Sequence, residues 1–201
     1  KSEYERYDYY RGNGQSRLLQ AVKSAIQTSY PRTDVSADGQ VVILSFSDGM
    51  KIEVLPAFTT TDWYGRITGY TYPDTNMGGN WRSTNPKAEQ EAMKDKNIAS
   101  NGLLFDTCKH MRFIRDNYFS SYHLSGIVID SFVYAAIGGW HWTDSSSPSS
   151  VSSGDYEKQL YSSFTSGYKY FSSINAPGSS QSVDLSKSKE CLEKVLYKML
   201  Q

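Results

Sequence analysis

At 201 residues, the chain is long enough for one or two domains with a real hydrophobic core. Its 21 basic and 21 acidic residues balance, so no overall field draws it to nucleic acid or to a lipid surface. No apolar run approaches the roughly 18–20 residues that span a bilayer, and Lys1-Ser-Glu-Tyr-Glu-Arg6 lacks a signal-peptide core. Cys108 and Cys191 stand on separate helical stretches with no metal-type Cys/His spacing around them, which fits free thiols in a reducing cytoplasm.

Leu18, Leu19, Val22 and Ile26 recur at helical spacing, and Tyr30-Pro31 ends that helix. Val41-Val-Ile-Leu-Ser-Phe46 and Lys51-Ile-Glu-Val-Leu-Pro-Ala-Phe58 follow, joined by the turn signal Ser47-Asp-Gly49. They predict a hairpin of two largely buried strands over about 41–57. The stretch 59–84, rich in Thr, Gly, Tyr and Asp and holding Trp63 and Trp81, is expected to be an irregular loop of functional length. Asn85-Pro86 marks a helix start, with asparagine before the helix and proline at its first position. Helical patterns then cover about 86–97, 101–117, 122–138, 154–174 and 186–200, broken by the serine-rich stretch 144–154 and by Ala176-Pro-Gly-Ser-Ser-Gln181. The expected class is α+β dominated by helix, a small piece of sheet followed by a helical bundle.

Glu53 is the residue to explain. A carboxylate on an apolar strand is costly to desolvate and needs a cation, a set of donors or a metal, unless alternation turns it to a wet face. His110, His123 and His141 follow no nucleophile-elbow pattern, and no Gly-x-Ser-x-Gly, Walker loop or His-Glu-x-x-His occurs. Asp48, in the turn, stands too far from Glu53 to share a proton with it. In Cys108-Lys-His-Met-Arg-Phe-Ile-Arg115, Lys109 and Arg112 are three apart on one helix face, a pairing suited either to phosphate oxygens or to an ordinary solvated stripe. Ser120-Ser-Tyr-His-Leu-Ser125 is expected to open the next helix, where a hydroxyl and free amides suit a phosphate.

These pieces, in this order, resemble the bacterial cyclic-oligonucleotide synthases, nucleotidyltransferases related to cyclic GMP–AMP synthase and oligoadenylate synthase. Lys51-Ile-Glu-Val-Leu-Pro-Ala-Phe58 is similar to the family's strand carrying its third metal-binding acid. Tyr72-Pro-Asp74 and Trp81-Arg-Ser-Thr-Asn-Pro86 are similar to its loop ending in a Trp–spacer–Asp/Asn-Pro element. Cys108-Lys-His-Met-Arg112 and Ser121-Tyr-His-Leu124 are similar to its basic helix and its Ser-Tyr-His-Leu element. The resemblance covers about residues 1–140. It implies a remnant of a polymerase-β-like sheet at 41–57 packed with a helical bundle, divided as 1–84 (transferase core) and 85–201 (helical nucleotide-binding lid).

The resemblance further implies NTP substrates, magnesium and in-line attack of a ribose hydroxyl with loss of pyrophosphate, in second-messenger signalling of the anti-phage type. Glu53 would be a metal ligand, Lys109 and Arg112 triphosphate contacts, Ser121 a phosphate hydrogen-bonding group, and Tyr122 a ring for stacking or packing. The family's Gly-Ser turn and Asp-x-Asp strand are not found before Glu53, and Asp8 has no second acid in the alternating position. The chain as it stands is therefore expected to be an inactive part of a synthase. The alternatives are a degenerate nucleotide-sensing or protein-interaction module, or a helical domain whose motif matches are accidental. The expected partners are NTPs and associated defence proteins, with no membrane, no sequence-specific nucleic acid, and an exposed sheet edge able to form a dimer.

Overall fold

The computed structural model describes residues 13–76, 79–143, 152–179 and 181–201. Asp8 and most of the serine-rich stretch 144–154 lie outside them. The chain is α+β, with six α-helices and three small antiparallel sheets among the described residues. It divides into two compact units, Lys1–Asn85 and Pro86–Gln201.

In the first unit, helix α1 (Gly14–Ser29) is amphipathic. Its Leu19, Val22 and Ile26 pack on Val35, Val42 and Leu44 of a three-stranded sheet. That sheet runs β1 (Asp34–Asp38), β2 (Val41–Ser45), β3 (Lys51–Val54) in spatial order. The β2–β3 turn is the expected one, with Gly49 in the left-handed region and the Met50 amide donating to Asp48 Oδ1 at 3.0 Å. Strand β1 was not read from the sequence, and β3 is largely exposed rather than buried: only Val54 is half-covered. Period-two alternation gives β2 one closed face, while β3 lies at the margin of the helix and keeps little of that cover.

The stretch 59–84 is not an irregular loop. It forms most of a second sheet, β4 (Phe58–Thr61), β5 (Ile67–Asp74) and β6 (Asn80–Thr84), in that spatial order. Thr and Tyr suit a half-exposed pleated surface, so β structure forms here without an apolar run. The tip between β4 and β5 is fixed by Asp62, whose Oδ1 accepts from the amides of Tyr64 and Arg66, both at 2.9 Å. The two sheets are joined where Thr75 donates from its amide and its hydroxyl to Gly39 O, at 2.9 and 2.8 Å.

In the second unit, α2 (Pro86–Ala99) starts on the expected proline. Ser100 Oγ accepts from the Leu104 amide at 3.1 Å and so satisfies one of the free amides in the first turn of α3 (Leu103–Tyr118). Helices α4 (Gly126–Ala136), α5 (Asp155–Ser166) and α6 (Lys189–Met199) complete the bundle. Its core runs through Leu104, Met111, Val128, Phe132, Leu160, Phe164, Leu192 and Leu196. The helix expected over 154–174 stops at Gly167, and the chain turns into the short hairpin β7 (Ser173–Asn175) and β8 (Ser182–Asp184).

Gly178, at φ +62°, seats the β7–β8 loop on α2. A Cβ there would stand 2.5 Å from Ala92 Cβ and 2.7 Å from Ala88 O. Gly178→Ala is expected to cost at least the roughly 1–2 kcal/mol of a left-handed non-glycine residue, with the clash added. Faster amide exchange in 173–184 checks this, and native-like protection there would refute it.

Candidate functional site

Glu53 stands opposite Ile43 in the β2–β3 register, while its neighbours Ile52 and Val54 pair with Leu44 and Val42. Leu44 and Val42 belong to the core that α1 closes, so alternation directs Glu53 to the face that α1 does not cover. Glu53 is exposed. Its carboxylate is therefore not a buried charge in need of rescue, and of the two readings open from the sequence the wet face is the one found. It is instead available to a ligand on the open face of the sheet.

On the second unit, Lys109 and Arg112 share α3 but differ in setting. The Lys109 side chain is 78% exposed and reaches Asp106 at 3.8 Å. Arg112 is half-buried, and its Nη2 donates to both carboxylate oxygens of Asp130, at 2.6 and 2.7 Å, and to Gly126 O at 3.3 Å. Burial works against the Arg112 charge, but the Asp130 carboxylate more than restores it. The Cys108 thiol beside this pair is pushed up to about 12, by burial first and then by Asp130, with Arg112 opposing. A thiol so placed is chemically inert at neutral pH.

Ser121 is not at a helix N-terminus. It lies exposed in the turn after α3, and α4 begins at Gly126, four residues later than expected. Arg115 Nη1 donates to Leu124 O at 2.9 Å, and Leu124 itself is buried. The chain is thereby held extended through Ser125 before the helix can start. The free amides of α4 belong to the residues after Ser125, which removes the helix-terminus argument for Ser121 as a phosphate site. Tyr122 lies edge-on to Phe119 and carries Lys194 Nζ 4.8 Å from its ring centre. Its exposed ring already has a cation on it.

Asp130, Arg115 and Lys194 were not singled out from the sequence. Asp130 carried the same signal as Glu53, a lone acid inside the apolar run Gly126-Ile-Val-Ile-Asp-Ser-Phe-Val133.

Residues 2–97 match the Second Messenger Oligonucleotide or Dinucleotide Synthetase domain. A probable cyclic nucleotide synthase of Bacillus cereus is 27% identical, over 58% of this chain and 36% of its own length. Nearly half of the chain is thus similar to the bacterial cyclic-oligonucleotide synthases. Solved structures of this kind share its fold at low identity. The CdnE c-di-GMP synthase of Capnocytophaga granulosa has a TM-score of 0.64 at 12% identity, over 94% of this chain and 62% of that one. The Rhodothermus marinus CdnE c-UMP-AMP synthase, solved with Apcpp and Upnpp, has a TM-score of 0.63 at 12% identity, over 99% and 70%. At this identity the likeness is one of fold, and the α+β architecture expected from the sequence is the one found. The chain spans about a third of the length of the curated relative it matches.

Proposed function

We infer that this chain is part of a nucleotidyltransferase that makes cyclic di- or oligonucleotide second messengers from NTPs. A ribose hydroxyl attacks an NTP α-phosphate, the bond to the β-phosphate oxygen breaks, and pyrophosphate leaves. The observation that carries the reading is a strand within the matched residues, β3, whose one acid stands on the face of the sheet left open by α1.

The family implies magnesium. Among the described residues, no group of three or more Asp, Glu, His or Cys side chains could hold a metal ion. Magnesium takes six ligands, most often one or two carboxylates with waters and substrate oxygens. Glu53 alone is a single contributor and does not make a metal site. In this reading Glu53 supplies one carboxylate, Lys109 and Arg112 bind triphosphate oxygens, and Ser121 and Tyr122 border the nucleotide. Signalling of the anti-phage type, association with defence proteins and a cytoplasmic setting belong to the same reading. Among the described residues, no helix is long and apolar enough to cross a membrane. The β3 margin, where Met50, Ile52 and Leu55 are exposed, is where a further strand or a second copy would pair. Sedimentation as a monomer at high concentration would remove the second copy.

The test is ATP binding and product formation by the protein expressed from its complete reading frame. Lys109→Ala/Arg112→Ala is expected to weaken ATP binding about 10- to 100-fold, the range of one or two charge-assisted hydrogen bonds. Glu53→Ala is expected to abolish product while ATP still binds. Product at the parent rate from Glu53→Ala would reject the ligand role, and unchanged affinity in the double variant would reject the phosphate assignment.

A further inference from the structure

The geometry around Arg112 assigns a role to a residue that the family motifs leave out. We propose that Asp130 is a positioning residue for nucleotide binding, holding the Arg112 guanidinium by Nη2 so that Nη1 is presented to phosphate. The inference rests on the reading of Arg112 as a phosphate contact.

A guanidinium can meet a carboxylate by a two-nitrogen fork, and such a fork would consume the edge that recognises phosphate. The pair here is built otherwise. Nη2 alone makes both bonds to Asp130 and the longer one to Gly126 O. Nε lies on the same side as Nη2, against Gly126, and the Cys108 thiol also hydrogen-bonds the guanidinium, while Nη1 donates to no oxygen of the described residues and is the nitrogen left for a ligand. A phosphate can therefore bind without breaking the ion pair, which separates a positioning carboxylate from one that competes with the ligand.

The setting fixes the pair. The two side chains are only 32% and 25% exposed, so solvent screening is reduced. The guanidinium packs against the start of α4, with Nη2 3.4 Å and Nε 3.7 Å from where a Gly126 Cβ would stand, ordinary contact distances. Arg115, one turn on, pins Leu124 O in the same way and holds the segment that leads into α4. An arginine immobilised before the ligand arrives loses little side-chain freedom on binding, and this offsets part of the charge that Asp130 cancels.

The experiment is a double-mutant cycle on ATP affinity, measured by calorimetry on the protein expressed from its complete reading frame, with inorganic triphosphate as a second probe. Arg112→Ala and Asp130→Ala are each expected to weaken both probes about tenfold. The double variant is expected to be no weaker than Arg112→Ala, because Asp130 acts only through Arg112. Asp130→Asn, whose amide oxygen still accepts from Nη2, is expected to recover part of the loss. A merely structural role would lower the melting temperature of both alanine variants without this pattern of affinities.

If Arg112→Ala leaves both probes unchanged, the phosphate reading falls and the inference with it. If Arg112→Ala weakens binding while Asp130→Ala does not, or tightens it, or adds independently in the double variant, the phosphate reading stands and the positioning role is overturned.

Discussion

Asp74→Ala should loosen the first unit by about 2–3 kcal/mol, the cost of leaving charge-assisted donors without their acceptor. Asp74 is, among the described residues, the charged residue buried in this unit, its side chain only 3% exposed, and it ends β5. Its Oδ1 accepts from the Asn76 amide at 3.1 Å and from Asn76 Nδ2 at 2.8 Å, and its Oδ2 accepts from Arg82 Nε on the neighbouring strand β6. Gln40, in the β1–β2 turn, also bonds to it. The residues at this carboxylate come from both sheets, so removing it should release the turn at Gly39 and Gln40 as well as the end of β5.

Burial alone would raise the Asp74 pKa, but the Asn76 amide and the Arg82, Asn76 and Gln40 side chains outweigh it and leave it lowered. A folded pKa below the unfolded value of about 3.9 gives stability that is present above that value and lost as pH falls through the folded pKa. The loss of stability between about pH 4 and more acid conditions should therefore be shallower in Asp74→Ala than in the parent. Urea titrations followed by fluorescence of Trp81, which packs 5.9 Å from Phe58 on β4, would read both effects. Asp62→Ala is the control. It removes an ion pair to Arg66 at the exposed hairpin tip and should move the midpoint less than Asp74→Ala. Equal shifts would show that burial at Asp74 adds nothing.

Different kinds of signal were legible to different degrees. Helices announced themselves by apolar spacing and by punctuation: α2 begins on Pro86, and α1 ends at Ser29, just before Tyr30-Pro31. The sheet over 58–84 did not, because β4 and β5 are held by pairing and by Asp74 rather than by an apolar face. A sequence shows composition but not which strand lies beside it. The start of α4 was misplaced for a related reason. Leu124 bonds to Arg115, nine residues away, and that tertiary bond overrides a local pattern that would have continued the helix.

The site shows the same division. The rule that an acid inside an apolar run needs a partner was sound, but it found its case in Asp130 rather than Glu53. Alternation on a strand offers an acid a wet face. In a helix whose Val128, Ile129, Ser131, Phe132 and Val133 are all buried, Asp130 finds a half-buried position with Arg112 across from it. Period 2 and period 3.6 thus give the same sequence signal opposite meanings.

Phe132→Ala should then be the most damaging single change in the second unit, at about 3–5 kcal/mol for a large ring removed from a core that cannot close over the gap. Phe132 is fully buried and makes edge-on contacts with Phe164 at 6.1 Å and Tyr168 at 5.4 Å. It anchors α4 to α5 and to the turn that follows α5. Asp130 lies two residues earlier on α4, so a helix that shifts on losing its anchor carries the carboxylate away from Arg112. Phe132→Leu keeps most of the volume and should cost about 1–1.5 kcal/mol, leaving the ion pair in place.

Thermal unfolding, with hydrogen exchange on peptides covering 126–166 to assign the change to this unit, would show a drop of roughly 10 °C for Phe132→Ala. Faster exchange in α4 should accompany it. ATP affinity should fall in step with that of Asp130→Ala at temperatures where the variant is still folded. Full ATP affinity together with loosened α4 exchange would mean that Arg112 keeps its orientation without Asp130. An unchanged melting temperature would mean that the ring cluster is not the anchor of this helix.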